Sequence, residues 1–225
     1  MAQFDEAVEQ IRTAILDGRL KPGHKLGAEE MATEYGMSRT PIREAFRVLA
    51  SEGLVELNAG RGARVTEWTP EELDHVFETR MRLEGMAASL AADRVTWDEV
   101  ERLQELAELI AHYAAPTPDR DLDAVQRLNG EFHSEIIRIA GSASLANAMG
   151  TVVHARVLSR TRQSFDEEAE RRSSNHHLEL VAALRAGDSR WAESTMHSHL
   201  LSARSSLLGP RREITPPPTN QEEAP

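Results

Sequence analysis

The chain contains no cysteine, which excludes a disulfide framework and any thiolate metal site and fits a reducing compartment. Aromatic residues make up only 4% of its 225 positions. Ala, Leu, Glu and Arg dominate after the first third, so the expected interior is one of helices packed through Leu, Ile, Val, Ala and Met rather than a large sheet. No run of about 18 apolar residues occurs, so no membrane-spanning segment is expected. The opening stretch MAQFDEAVEQIRTAIL carries acidic residues and lacks the basic-then-apolar layout of a signal peptide. A cytoplasmic protein with no membrane partner is the expectation.

Basic residues are also in short supply, 26 against 37 acidic ones, for a net charge of −11. That balance argues at first against a nucleic-acid partner. The acid is unevenly spread, however. Residues 1–67 hold nine Lys/Arg and eleven Asp/Glu, so most of the excess belongs to the remainder. Arg39, Arg43, Arg47, Arg61 and Arg64 fall in one short stretch of the first part. Phosphate binding depends on where cations sit, so a basic face on an acidic protein is physically reasonable.

The hydrophobic fraction of 40% is sufficient for packed cores. Three zones follow from the pattern: residues 1–67, with short helical stripes and many turn signals; residues 68–208, a succession of amphipathic helices; and residues 209–225, a Pro-rich and charged segment expected to be a disordered tail. In the first zone, Val8, Ile11, Ala14 and Ile15 form one helical stripe. Residues Ala28 to Tyr35 read as a short helix stopped by Gly36. A third helix starts at Ser38 or Thr40, both suitable N-caps, and runs to about Ser51. Ile42, Ala45, Phe46 and Leu49 mark its buried face, whereas Arg39, Arg43 and Arg47 recur every four residues on another. LVEL, the turn NAGRG and ARVT then read as a small β-hairpin.

Helix, glycine-stopped helix, arginine-studded helix and basic hairpin together make a winged helix-turn-helix layout. An arginine-bearing helix face fits the major groove, about 12 Å wide, and Arg suits both guanine edges and phosphate. A merely solvated charged face is the alternative for any single arginine. The stretch AILDGRLKPGHKLGAEEMATEYGMSRTPIREAFRVLASEGLVELNAGRGARV resembles the DNA-binding domain of the GntR family of bacterial regulators over roughly residues 6–67. The resemblance implies that Ser38, Arg39, Thr40, Arg43 and Arg47 contact DNA, with Gly60 and Arg61 at the wing tip. Glu29 departs from the family pattern, which usually has an arginine near the start of the second helix, so a contact there is missing or altered.

The second zone reads as an all-α antiparallel bundle. Its first helix starts at a capped Thr69-Pro70-Glu71-Glu72 and places Arg80 and Glu84 on the inward stripe. In a later helix Leu122, Val125, Asn129, Phe132, Ile136 and Ile139 step by three or four, and His133 lies on nearly the same face as Asn129. Arg156 falls on an inward stripe of the helix after it. His177 aligns with Leu180, Val181 and Leu184, and His199 with Met196, Leu200 and Ala203. One amide and three imidazoles on apolar stripes suit a borderline divalent ion such as zinc or nickel. Each histidine alone also reads as a satisfied core residue.

The zone is similar to the helical FCD domain of the FadR subgroup. That resemblance implies that Asn129, His133, His177 and His199 hold a divalent metal, with His176 and His197 as neighbours directed elsewhere. Arg80 and Arg156 are the expected partners of an effector carboxylate, since Arg offers a bidentate fork; structural ion pairs with residues such as Glu84 are the equal alternative. The expected whole is a homodimeric repressor on operator DNA, released by a small organic acid bound beside the metal. The alternatives are a metal-responsive regulator and a metal-dependent enzyme using the Asn/His cluster. No HExxH-like or nucleophile motif supports the enzyme, so no catalytic residue is expected.

Overall fold

The computed structural model describes residues 2–58, 62–152 and 164–209. Helix α1 (Ala2–Leu16) is followed by a two-residue strand β1 (Lys25–Leu26), a short α2 (Ala28–Glu34), α3 (Arg39–Ser51), β2 (Val55–Asn58) and β3 (Gly62–Val65). The hairpin expected from LVEL and ARVT pairs antiparallel, with Val55 opposite Val65 and Asn58 opposite Gly62. It is not alone. β1 pairs with the free edge of β3, Lys25 opposite Arg64 and Leu26 opposite Ala63, giving a three-stranded sheet in the order β1-β3-β2. The added strand satisfies β3 backbone groups that a two-stranded hairpin would leave to solvent.

Apolar spacing built these elements as anticipated. Ile42, Ala45, Phe46 and Leu49 of α3 are fully or almost fully buried against Ile11 and Ile15 of α1 and Leu54, Val55, Ala63 and Val65 around the sheet. Each large side chain so buried contributes about 1.5–3 kcal/mol. Arg12 of α1 donates from Nε to Glu52 Oε2 at 3.0 Å, pinning α1 to the end of α3. Gly36 and Gly53 adopt φ of +64° and +68°, and so let the chain reverse after α2 and α3.

The second set of elements is all helical: α4 (Pro70–Ala92), α5 (Trp97–Ala114), α6 (Leu122–Ala140), α7 (Ala143–Val152), α8 (Glu167–Arg185) and α9 (Ser189–Leu208). Their ends are written in the sequence. Thr69 with Glu72 and Thr96 with Glu99 form capping boxes, and Asp121, Asp166 and Asp188 accept backbone N–H groups at the starts of α6, α8 and α9. The turn between α8 and α9 is short and the two helices pack along one another, as antiparallel neighbours do.

Leu103, Leu106 and Ile110 of α5, Phe132 and Ile136 of α6, Leu180, Val181 and Leu184 of α8 and Met196 and Leu200 of α9 share one buried core. A smaller cluster of Leu73, Phe77 and Ala203, flanked by Trp68 and Phe165, joins the start of α4 to the end of α9, where Arg204 pairs with Asp74. Leu122 departs from the expected stripe. It is the first residue of α6 and is 41% exposed, and Leu128 takes a buried place instead. Among the described residues no helix is long and apolar enough to cross a membrane.

Candidate functional site

Two surfaces carry chemistry. The first is built on α3. With one side of the helix committed to the core, Arg39, Thr40, Arg43 and Arg47 project into solvent, and exposed Ser38 holds the N-cap position in an extended conformation without a side-chain bond to the helix. These four α3 residues, Leu57 and Asn58 of β2, Gly62 and the first turn of α2 line a groove of about 650 Å³. Its arginine-bearing wall is a surface suited to polyanion binding. Glu29 also lines it, with Oε2 3.8 Å from Arg39 Nη1. Gly60 and Arg61 lie outside the described residues.

The second lies at the centre of the helical bundle. His133 comes from α6, His177 from α8 and His199 from α9, and all three are buried. Their ring centroids stand 5.1 Å (133 to 199), 4.6 Å (177 to 199) and 5.6 Å (133 to 177) apart. One nitrogen from each falls within a set whose members lie within 4.8 Å of one another.

The orientation of His133 is set from α4. Arg80 donates from Nε to Glu84 Oε1 at 2.7 Å, and the other carboxylate oxygen, Oε2, lies 2.7 Å from His133 Nδ1. Burial opposes a charge on Glu84, but Arg80 and His133 outweigh it and hold the carboxyl well below its usual range. An ionised carboxylate can only accept, so Nδ1 of His133 donates to it and Nε2 takes no part in that bond. That Nε2, and Nδ1 of His199, are buried with no hydrogen-bond partner among the described residues. Burial first, then the neighbouring histidines, push His199 well below the ordinary imidazole range and keep it neutral.

Buried polar nitrogens without partners are costly and uncommon. Here two such nitrogens belong to a converging set of three imidazoles, and imidazole nitrogen is a ligand that a borderline divalent cation takes. The residues present therefore fit such an ion. Asn129 is half-buried on the wall of an adjoining cavity of about 320 Å³ that is also lined by Arg80, Glu84, His133 and Met149.

The two readings of Arg80 are joined by this geometry: it is tied to Glu84 and it faces the cavity. Arg156 lies outside the described residues. His176 is half-buried with its ring 6.0 Å from that of His199, and His197 Nε2 lies 2.9 Å from the Met81 carbonyl oxygen. Sequence reasoning missed Glu84 as the residue that orients His133. Its spacing of four from Arg80 was the one available signal, and it pointed to a different partner.

Comparison with known proteins covers both surfaces. Residues 3–65 match the family model described as bacterial regulatory proteins, gntR family, and residues 75–202 match the FCD domain. The chain is 33% identical over 190 residues to a probable D-xylose utilization operon transcriptional repressor of Paenarthrobacter nicotinovorans, covering 83% of this chain and 80% of that protein. It is 26% identical over 207 residues to the transcriptional repressor RspR of Escherichia coli (strain K12), covering 90% and 88%. A third match, at 30% identity over 140 residues, is to the uncharacterized regulator YdhC of Bacillus subtilis (strain 168) and spans 62% of either chain, under two thirds of that relative. Among solved structures, E. coli McbR/YncC shares the fold at a TM-score of 0.73 and 23% identity, covering 92% of this chain and 97% of that one. A GntR regulator from Rhodococcus sp. RHA1 does so at 0.72 and 24%, covering 94% and 100%.

Proposed function

The chain belongs to the GntR family of bacterial regulatory proteins and carries an FCD domain, and from that premise we propose that it is a repressor released from operator DNA by a small organic acid bound beside a divalent metal. Regulators of this class, not enzymes, are what its relatives are named as. One observation carries the finer reading: three buried histidines converge, and one of them, His133, lines a cavity that Arg80 also lines.

Asn129, His133, His177 and His199 are the residues that would hold the ion, zinc or nickel being suited to that donor set. When bound, the metal would supply a Lewis-acidic position for one oxygen of a carboxylate. Arg80 offers a second attraction from the cavity wall, and Glu84 keeps that guanidinium and the His133 ring in place. A cavity of about 320 Å³ limits the effector to a small molecule. On the DNA side, Ser38, Arg39, Thr40, Arg43 and Arg47 are the contacts proposed for each half-site, with Gly60 and Arg61 for the wing. Two copies would match a two-fold operator.

The test joins metal analysis to operator binding. Purified protein is assayed for zinc and nickel, its melting temperature is followed across a panel of small carboxylates, and the stabilising acid is added to the operator complex. The expected result is a bound ion, a raised melting temperature and an operator affinity lowered about 5- to 150-fold, the usual range for such coupling. Operator binding that depends on the metal and ignores every acid would make the metal the signal. No ion and no stabilising acid would reduce the cluster to a structural one and leave only the DNA-binding half of the proposal.

A further inference from the structure

An exposed carboxylate stands inside the basic groove. Glu29, in the first turn of α2, has a side chain 85% exposed and shares that groove with Arg39, Thr40 and Arg43. Its Oε2 lies 3.8 Å from Arg39 Nη1, close enough for attraction and too far for a hydrogen bond. The contrast is with Arg12, whose Nε and Nη2 both donate to Glu52. That pair uses its hydrogen-bonding capacity within the protein. Glu29 and Arg39 form an open pair, in which the carboxylate oxygens and the guanidinium N–H groups remain available to another molecule.

The mounting of Glu29 is firm. Met31 and Ala32 bury the other face of α2. Across the groove, the Gly62 end of β3 packs so closely on the Leu26 carbonyl that a Cβ there would collide with it. The backbone that carries Glu29 and the Gly62 end of β3 are therefore both packed elements of the groove.

A carboxylate facing DNA is repelled by phosphate whatever the sequence. What rewards it in the major groove is an exocyclic amino group, the cytosine N4 being the usual donor to Glu, whereas Arg prefers the O6 and N7 of guanine. We propose that Glu29 is a specificity-determining residue that reads a base together with Arg39: Arg39 donates to a guanine, and Glu29 accepts from the amino group of a cytosine beside it on the groove floor. Part of the operator sequence is then read from α2 and not from α3 alone. The pair excludes sites that place a carbonyl edge before Glu29, since two acceptors would face each other with no proton between them.

The experiment selects binding sites from a randomised duplex library with the full chain and with Glu29→Ala, Glu29→Gln and Arg39→Ala, at one salt concentration. Both side chains are exposed, and unchanged far-ultraviolet circular dichroism and melting temperature will establish that the variants fold. The expected result is a cytosine preference that falls about tenfold in Glu29→Ala, with other positions unchanged and affinity for unrelated duplex raised. Glu29→Gln, which keeps one acceptor oxygen, will retain part of the preference. Arg39→Ala will relax the adjoining guanine. Glu29→Ala with unaltered base preferences and an equal gain on every sequence would overturn the proposal and reduce Glu29 to a repulsive surface charge. Failure of the unaltered chain to select any sequence would sink the DNA-binding assignment along with it.

Discussion

A carboxylate that is 2% exposed stays ionised only when its neighbours repay the lost hydration, and Glu84 has two that do: Arg80 through Oε1 and His133 through Oε2. Glu84→Gln would leave Arg80 as a buried charge without a counterion and would let His133 turn. Chemical denaturation should show a loss of about 3–5 kcal/mol, the usual cost of breaking a buried pair on one side. Zinc titration should show affinity lowered about 10- to 100-fold, as for other partners that orient a ligating histidine. An unchanged zinc affinity would disprove the orienting role. The same residues set a pH dependence for the metal-free protein. Glu84 and His199 both have folded pKa values depressed below their ordinary ones. The unfolded chain therefore binds more protons as pH falls, and stability is complete above the ordinary histidine value and declines below it. Melting temperatures measured from about pH 8 to about pH 5 should begin to drop near pH 6.5, and His199→Gln should flatten the first part of that drop.

At the scale of elements, the wing depends on a very short strand. β1 is two residues long, and its partner β3 begins at Gly62, which has φ of +95° and lies against the Leu26 carbonyl. Gly62→Ala would have to force β1 and β3 apart and also place a Cβ where φ disfavours it. The expected outcome is about 1–3 kcal/mol of lost stability and weakened operator binding, with the zinc affinity of the helical domain unaltered; an equal loss in both would show that the wing and bundle are not independent. The reason β1 escaped a sequence reading is physical, because two residues are too few to show alternation and its register is imposed by β3. Longer elements were legible. α5 and α8 repeat their apolar side chains over three or more turns and α3 over about two, and threonine or aspartate caps mark the starts of most bundle helices. The three histidines were legible for the same reason, His177 and His199 lying in line with Leu or Met and His133 on nearly the same face as Asn129. Which side chain would face His133 was not, since Glu84 is 49 positions away and comes from another helix. Leu122 shows the converse error: it has the right spacing, but as the first residue of α6 it is exposed.

For the molecule as a whole, charge placement decides what DNA encounters. The net charge is −11, yet only a small part of it belongs to residues 1–67, and the α3 face presents Arg39, Arg43 and Arg47 side by side. Exposed charges separated by more than about 8–10 Å are largely screened at physiological salt. The acidic bundle therefore cannot cancel the arginines at close range, though it opposes loose association with DNA of any sequence. The consequence is measurable as a salt dependence. If Arg43 contacts phosphate, Arg43→Ala should weaken binding to operator and to unrelated duplex in similar proportion, and should reduce the slope of log K against log salt by about 0.9 for each DNA-binding head engaged. If Arg43 contacts a base instead, the operator complex alone should weaken and the slope should stay nearly constant. Titrations of both duplexes at three salt concentrations separate the two outcomes. The same measurement on Arg47→Ala, one turn further along the helix, will show where the phosphate-binding stripe ends, because a side chain beyond the edge of the duplex will change neither the affinity nor the slope.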